Sequence, residues 1–164
     1  MSGIIQAVKL IPNFSVLMMS NEEKGIIHAP NLDTPGGKQS YFRSIENHFR
    51  NDITFFFYGA QGKKENVFSF FRRVIKDYRN FWRTVHRGDF DVVHLNPSLN
   101  LKSFFRDSIF VMICHWLKVK TIVFWRGWNA NFERKVVRRI LPFFRLTYGK
   151  SDAMILLAWE FKIE

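Results

Sequence analysis

The sequence predicts an α/β fold built on a parallel sheet, and three observations carry that expectation. Val92, Val93, His94 and Leu95 form a short apolar run that stops at Asn96-Pro97-Ser98 and gives way at Leu101 to a long run of helical periodicity. The same cadence recurs at residues 121–125 before Arg126-Gly127-Trp128-Asn129, and at 153–157 before Ala158-Trp159. Short β-branched runs alternating with helical ones mean strands joined by crossover helices. Such sheets are covered on both faces, so their strands are apolar throughout. The expected architecture is a three-layer, Rossmann-like parallel sheet with helices on both faces, strand order 3-2-1-4-5 and right-handed crossovers. Its function sits in the loops at the carboxyl ends of the strands.

Taken in order, residues 1–13 read as an N-terminal arm whose apolar patch ends at Pro12, and the folded domain is expected over 14–164. The first strand is expected at 15–20, through Val16, Leu17, Met18 and Met19, followed by a long loop over 21–38 that carries Pro30, Pro35 and the adjacent Gly36 and Gly37. Loops of that length in compact domains usually carry function or motion. Tyr41, Phe42, Ile45 and Phe49 recur at helical spacing, which predicts a helix over 39–50, and a second strand follows at 53–58. Residues 65–87 form a long amphipathic helix with Phe71, Val74, Ile75, Tyr78, Phe81, Trp82 and Val85 on one side and Arg72, Arg73, Lys76, Arg79 and Arg83 on the other. Gly88 is read as its C-cap, in the left-handed conformation that glycine takes without steric cost. The helix over 101–118 is apolar around most of its circumference and is expected to be buried. A fourth helix, 131–146, sets Arg134, Lys135, Arg138 and Arg139 against Val136, Val137, Ile140 and Leu141, with Pro142 kinking or interrupting it. The fifth strand is 153–157, and the few residues after it give barely more than one helical turn, as expected for the front part of a longer design.

With 164 residues and 47% hydrophobic content the chain has enough apolar mass for one domain. A net charge of +11 points to anionic partners: nucleic acid, acidic lipid or phosphorylated small molecules. The single cysteine, Cys114, falls inside an apolar helical run, which suggests a buried inert thiol in a reduced, cytoplasmic protein. The longest apolar run, 109–117, is interrupted by His115 and is too short to span a bilayer. Basic helices bearing Phe68, Phe70, Phe81 and Trp82 suggest peripheral attachment to an anionic inner membrane face, against the plainer reading of a solvated helix surface. Nucleic acid is the weaker partner, because no helix-turn-helix, zinc or RNA-recognition signature accompanies the charge.

Two loops carry the ligand chemistry. Thr34-Pro35-Gly36-Gly37-Lys38 ends at the start of a helix, so the amides of Gly36 and Gly37 and the ammonium of Lys38 suit an anion. It departs from the phosphate-loop pattern at Leu32 and Gln39, and a plain Pro-Gly turn is the alternative. Arg126-Gly127-Trp128-Asn129 combines a fixed positive fork, a glycine for close approach, an aromatic plate and an amide, a set that suits a phosphate and a sugar or base. The alternative there is a surface ion pair and a core Trp. In the expected strand order these two loops flank the switch point, with Asn96 and Ser98 close by. His94, inside a strand, is first a core histidine and only second a catalytic one. His115 reads the same way, and His28 in the long loop is left open. No His/Cys/Asp/Glu grouping has metal-ligand spacing, and no nucleophile motif or cofactor motif is present.

The order of Gly36-Gly37, Asp91-Val92-Val93-His94-Leu95-Asn96, Arg126-Gly127-Trp128-Asn129 and Ser151-Asp152-Ala153-Met154-Ile155-Leu156-Leu157-Ala158 resembles the N-terminal domain of GT-B glycosyltransferases of family 4 (group 1). The resemblance spans 15–164 and implies the acceptor-side half of an enzyme that transfers sugar from a nucleotide-sugar to a polysaccharide or lipid-linked acceptor. Donor binding would fall mainly to a second, C-terminal half, and these residues alone would be inactive. It implies acceptor and diphosphate contacts at Gly36, Gly37, Lys38, Asn96, Ser98, Arg126, Gly127, Trp128 and Asn129, with no cofactor. A non-catalytic Rossmann-like module for anionic ligands, whether a phosphorylated metabolite, a membrane or nucleic acid, is the competing expectation.

Overall fold

The computed structural model describes residues 24–30, 52–59 and 66–156. Five runs rich in β-branched and aromatic residues build one sheet: β1 Gly25–Pro30, β2 Ile53–Tyr58, β3 Val92–Leu95, β5 Lys120–Trp125 and β7 Ala153–Leu156. A two-residue pair, β4 Ser98–Leu99 and β6 Gly127–Trp128, forms a separate ladder. The main sheet has the order β2-β1-β3-β5-β7, and every neighbouring pair is parallel. This is the Rossmann-like α/β class that the alternation of strand and helix patterns predicts.

The order itself corrects the expectation. Numbered along the main sheet it runs 2-1-3-4-5, not 3-2-1-4-5, and β1, the second strand from one edge, lies inside the stretch read as a long loop. Pro30 and the polar His28 make Gly25–Pro30 read as a loop. His28 is nevertheless buried, its ring stacked 3.9 Å from that of Tyr58 and 4.2 Å from Phe110. The expected strand at 15–20 and helix at 39–50 lie outside the described residues. The switch point therefore falls between β1 and β3, the strands whose crossovers leave in opposite directions.

Three helical segments cover one face. Helix α1, Val67–Arg87, starts at Asn66, whose side chain accepts from the Ser69 amide at 2.8 Å. It ends at Gly88, but φ there is −91°, and the left-handed residue is Asp89 (φ 46°). A Cβ at 88 would overlap the Phe90 ring, so a larger residue there has to push that ring aside. Helix α2, Leu101–Leu117, is capped by Asn100 and closed by Lys118 in the left-handed conformation. Helix α3, Ala130–Lys135, passes through a π turn, Val136–Ile140, into α4, Leu141–Leu146. Pro142 stands in the first turn of α4, where its missing amide hydrogen costs nothing, and the interruption falls just before it, where the sequence predicts one.

The strand residues facing these helices, among them Ile26, Val93, Leu95, Val123, Trp125 and Met154, join Phe81, Phe104, Phe110, Phe144 and Tyr148 in one core. Phe81 and Phe110 meet edge to face with centroids 4.9 Å apart, and Trp125 and Tyr148 pack at a tilt, 4.7 Å apart. Tyr148 is buried with its hydroxyl donating to Phe104 O at 2.7 Å. On the other face Ile27, Ala29, Val92 and Phe124 are buried too, as a doubly covered sheet requires. Cys114 is buried, and burial pushes its thiol up to about 12, which makes it inert near neutrality. Helix α2 departs from the expectation of near-complete burial: Leu101, Phe105, Ile109, Met112 and Trp116 are exposed. Of the apolar side of α1, Phe81 and Val85 enter the core, while Phe71 and Ile75 stay in solvent.

Candidate ligand site at the carboxyl edge of the sheet

At the switch point the chain leaves β3 through Asn96 and Pro97. Asn96 is fully buried, and its Nδ2 donates to His28 O at 3.0 Å, which ties β1 to β3 beyond the last ladder bond. Its Oδ1 has no hydrogen-bond partner among the described residues. The chain leaves β5 through Arg126, whose amide donates to Pro97 O at 3.1 Å. From there Ser98 pairs with Gly127 and Leu99 with Trp128, so β4 and β6 staple the two loops together. A Cβ at 127 would stand 3.2 Å from Ser98 Oγ and 3.3 Å from Ser98 Cβ, so a side chain there asks Ser98 to give way. The ladder was not legible in the sequence, since two-residue strands leave no periodic pattern.

The Arg126 guanidinium lies over Phe124, 5.2 Å from its centroid. Phe124 and His94 are adjacent, with ring centroids 5.7 Å apart. Burial, and secondarily the Arg126 charge, pulls His94 down to about 4, so the imidazole is neutral near pH 7. His94 is half-buried in β3, and its Nε2 has no hydrogen-bond partner among the described residues, unlike the backbone-bonded core histidine that the sequence favours.

Beneath the β4–β6 staple runs a polar network that sequence reading missed. Ser98 N donates to Ser103 Oγ at 3.1 Å, and Ser103 Oγ donates to Asp107 Oδ2 at 2.5 Å. Arg106 grips the same carboxylate at both oxygens, Nε to Oδ1 at 2.6 Å and a terminal nitrogen to Oδ2 at 3.0 Å. That guanidinium also lies 4.9 Å from the Tyr58 ring centroid, and Tyr78 Oη donates to Arg106 O at 3.0 Å. Burial alone would lower Arg106, but the bond to Asp107 and its charge more than offset this, and the group stays cationic. Burial and Asp107 raise both Tyr58 and Tyr78, the latter to about 12, so both remain protonated donors. The available signal was an Arg-Asp pair breaking an apolar helix, with Ser103 one turn before Asp107.

Among the residues expected at the site, Asn96, Ser98, Arg126 and Gly127 are brought together by these elements. Trp128 takes part in the ladder through its backbone, and its side chain lies outside the described part of the structure. Asn129 serves the fold, because its Oδ1 accepts from the Phe132 amide at 2.9 Å and so caps α3. Gly36, Gly37 and Lys38 lie outside the described residues. No group of three or more metal-ligating side chains occurs among the described residues. A scan against protein-family models and a search of curated proteins returned no match to this chain.

Proposed function

We propose that this chain is the acceptor-side half of a glycosyltransferase that moves a sugar from a nucleotide-sugar to a polysaccharide or lipid-linked acceptor. The observation that carries the reading is the stapling of the β3 and β5 loops by β4 and β6. It sets the Arg126 loop, Ser98 and Gly127 beside Asn96 at the switch point, the edge where open α/β sheets bind ligands. A guanidinium there suits a diphosphate. Asp107 is engaged by Ser103 and Arg106, so this network holds the loop in place. Sugar transfer requires the donor diphosphate and the acceptor hydroxyl to be held together, and the resemblance gives donor binding to a second half. The second reading, a non-catalytic module for anionic ligands, rests on the net charge of +11.

Titration of the isotope-labelled chain with inorganic diphosphate, nucleotide-sugars and a short polyprenyl diphosphate-sugar separates the two. The expected result is that the lipid-linked sugar shifts the amides of Ser98, Arg126 and Gly127, with affinity falling about tenfold in Arg126→Met. Equal responses to every anion leave only the module reading. Shifts elsewhere in the chain, with these amides unmoved, overturn both.

A further inference from the structure

The helical layer carries a second surface. Apart from Phe57, every exposed large apolar side chain among the described residues belongs to α1, α2 or α4. On α2 they recur as Leu101, Phe105, Ile109, Met112 and Trp116, spacings of three and four residues that line one face of the helix, opposite the side that enters the core. Trp116 is 74% exposed and Met112 51%, far beyond what a helix packed on a sheet needs to show. At the carboxyl end of α2 the stripe borders an open hollow of about 420 Å³, walled by Met112, Trp116 and Leu146 and carrying His115, Lys118 and Lys150. Lys150 Nζ stands 3.4 Å from His115 Nε2.

Among the described residues of the helices, the exposed charge has one sign. Among the carboxylates of the helices, Asp107 and Glu133 are buried, and Asp77 is partly buried and paired with Arg73. The fully exposed charged side chains of α1 through α4 are therefore all basic, Arg72, Lys76, Arg83, Lys102, Arg138 and Arg145 among them. The exposed Asp52, Asp89, Asp91 and Asp152 lie off the helices, in the turns that lead into β2, β3 and β7. Asp91 and Asp152 are engaged there by the amides of Lys24 and Thr121. A second copy of the chain would set cation against cation across the helical face. A nucleic acid would satisfy the charge and stack on Phe105 and Trp116, but it gains little from Leu101, Ile109 and Met112, which fill the rest of the stripe and favour an apolar phase.

We propose that this face docks on an anionic membrane surface. The α2 stripe lies in the plane of the interface, with Trp116 at the headgroup level, and the hollow takes a lipid phosphate between Lys118 and Lys150. No helix among the described residues is long and apolar enough to cross a membrane, so the contact is peripheral. The proposal stands apart from the sugar-transfer reading, and the vesicle experiment does not bear on sugar binding.

Co-sedimentation of the full chain with vesicles of phosphatidylcholine alone, and with about a quarter phosphatidylglycerol, tests it at low and high salt. Binding is expected to the anionic vesicles at low salt, weakened at least about tenfold by high salt or by omission of phosphatidylglycerol. The pairs Trp116→Ala with Leu146→Ala and Lys118→Glu with Lys150→Glu should each cost at least about tenfold while far-UV circular dichroism stays unchanged. Should a pair fail to fold, brominated acyl chains give a second readout: quenching of the wild-type fluorescence that is lost in Trp116→Phe supports the proposal. Absence of low-salt binding overturns it, as do folded variants that bind like the wild type or quenching that Trp116→Phe leaves intact. Single-stranded RNA that displaces the vesicles at comparable affinity shows a nucleic-acid surface instead. A dimer dispersed by Trp116→Ala, without vesicle binding, shows self-association.

Discussion

At Asp107 a carboxylate only 2% exposed accepts one bond from Ser103 and two from Arg106. Removing it in Asp107→Ala strands a cation and the Ser103 hydroxyl. The Arg106 side chain is a third exposed, so water relieves part of the cost, and the expected loss is about 2–3 kcal/mol, below that of a fully buried pair. Urea unfolding checks this, and the double variant with Arg106→Met should recover part of the loss. His94 sets the response to acid. Its folded value of about 4 lies below the ordinary 6.5, so between those values the unfolded chain binds more protons than the folded one. Stability from this group is complete above pH 6.5 and is lost as pH falls towards 4, by at most about 3 kcal/mol. Unfolding midpoints at pH 7 and 4.5 should differ less in His94→Phe than in wild type, and Arg126→Gln should narrow the window by removing the secondary cause.

Between elements, the β4–β6 staple depends on a glycine. Gly127→Ala asks Ser98 to give by a few tenths of an ångström, and Gly127→Val forces the strands apart at a cost of about 1–3 kcal/mol. Ser98→Gly removes the atoms that clash, so it should restore thermal stability to Gly127→Ala. Strands β2, β3, β5 and β7 were legible because each is an apolar run broken by polar residues or glycine. Strand β1 was not, because a ring stack neutralises the polarity of His28 only once Tyr58 and Phe110 are beside it. The exposed stripe of α2 was hidden for a related reason: apolar residues all round a helix look the same whether both sides pack or one side waits for another phase. At the site, Asn96, Ser98, Arg126 and Gly127 were legible from the motifs that end β3 and β5. The capping role of Asn129 and the Ser103-Arg106-Asp107 network depend on geometry within one turn, where several pairings share the same spacing.

Across the whole molecule, no two neighbouring strands of the main sheet are joined by a hairpin, and every pairing closes a long loop before it is rewarded. Strand β1 sits between β2 and β3, and Lys24 at its foot bonds to Asp91, 67 residues further on. On the ribosome the chain must therefore deliver α1 and β3 before β1 has both edges filled. During that interval Ile26 and Ile27 stand beside an open row of amides and carbonyls, a template for any extended segment nearby. The earliest of the described strands to be made is thus the one that waits longest for its second partner, and a chaperone that holds it bridges that interval.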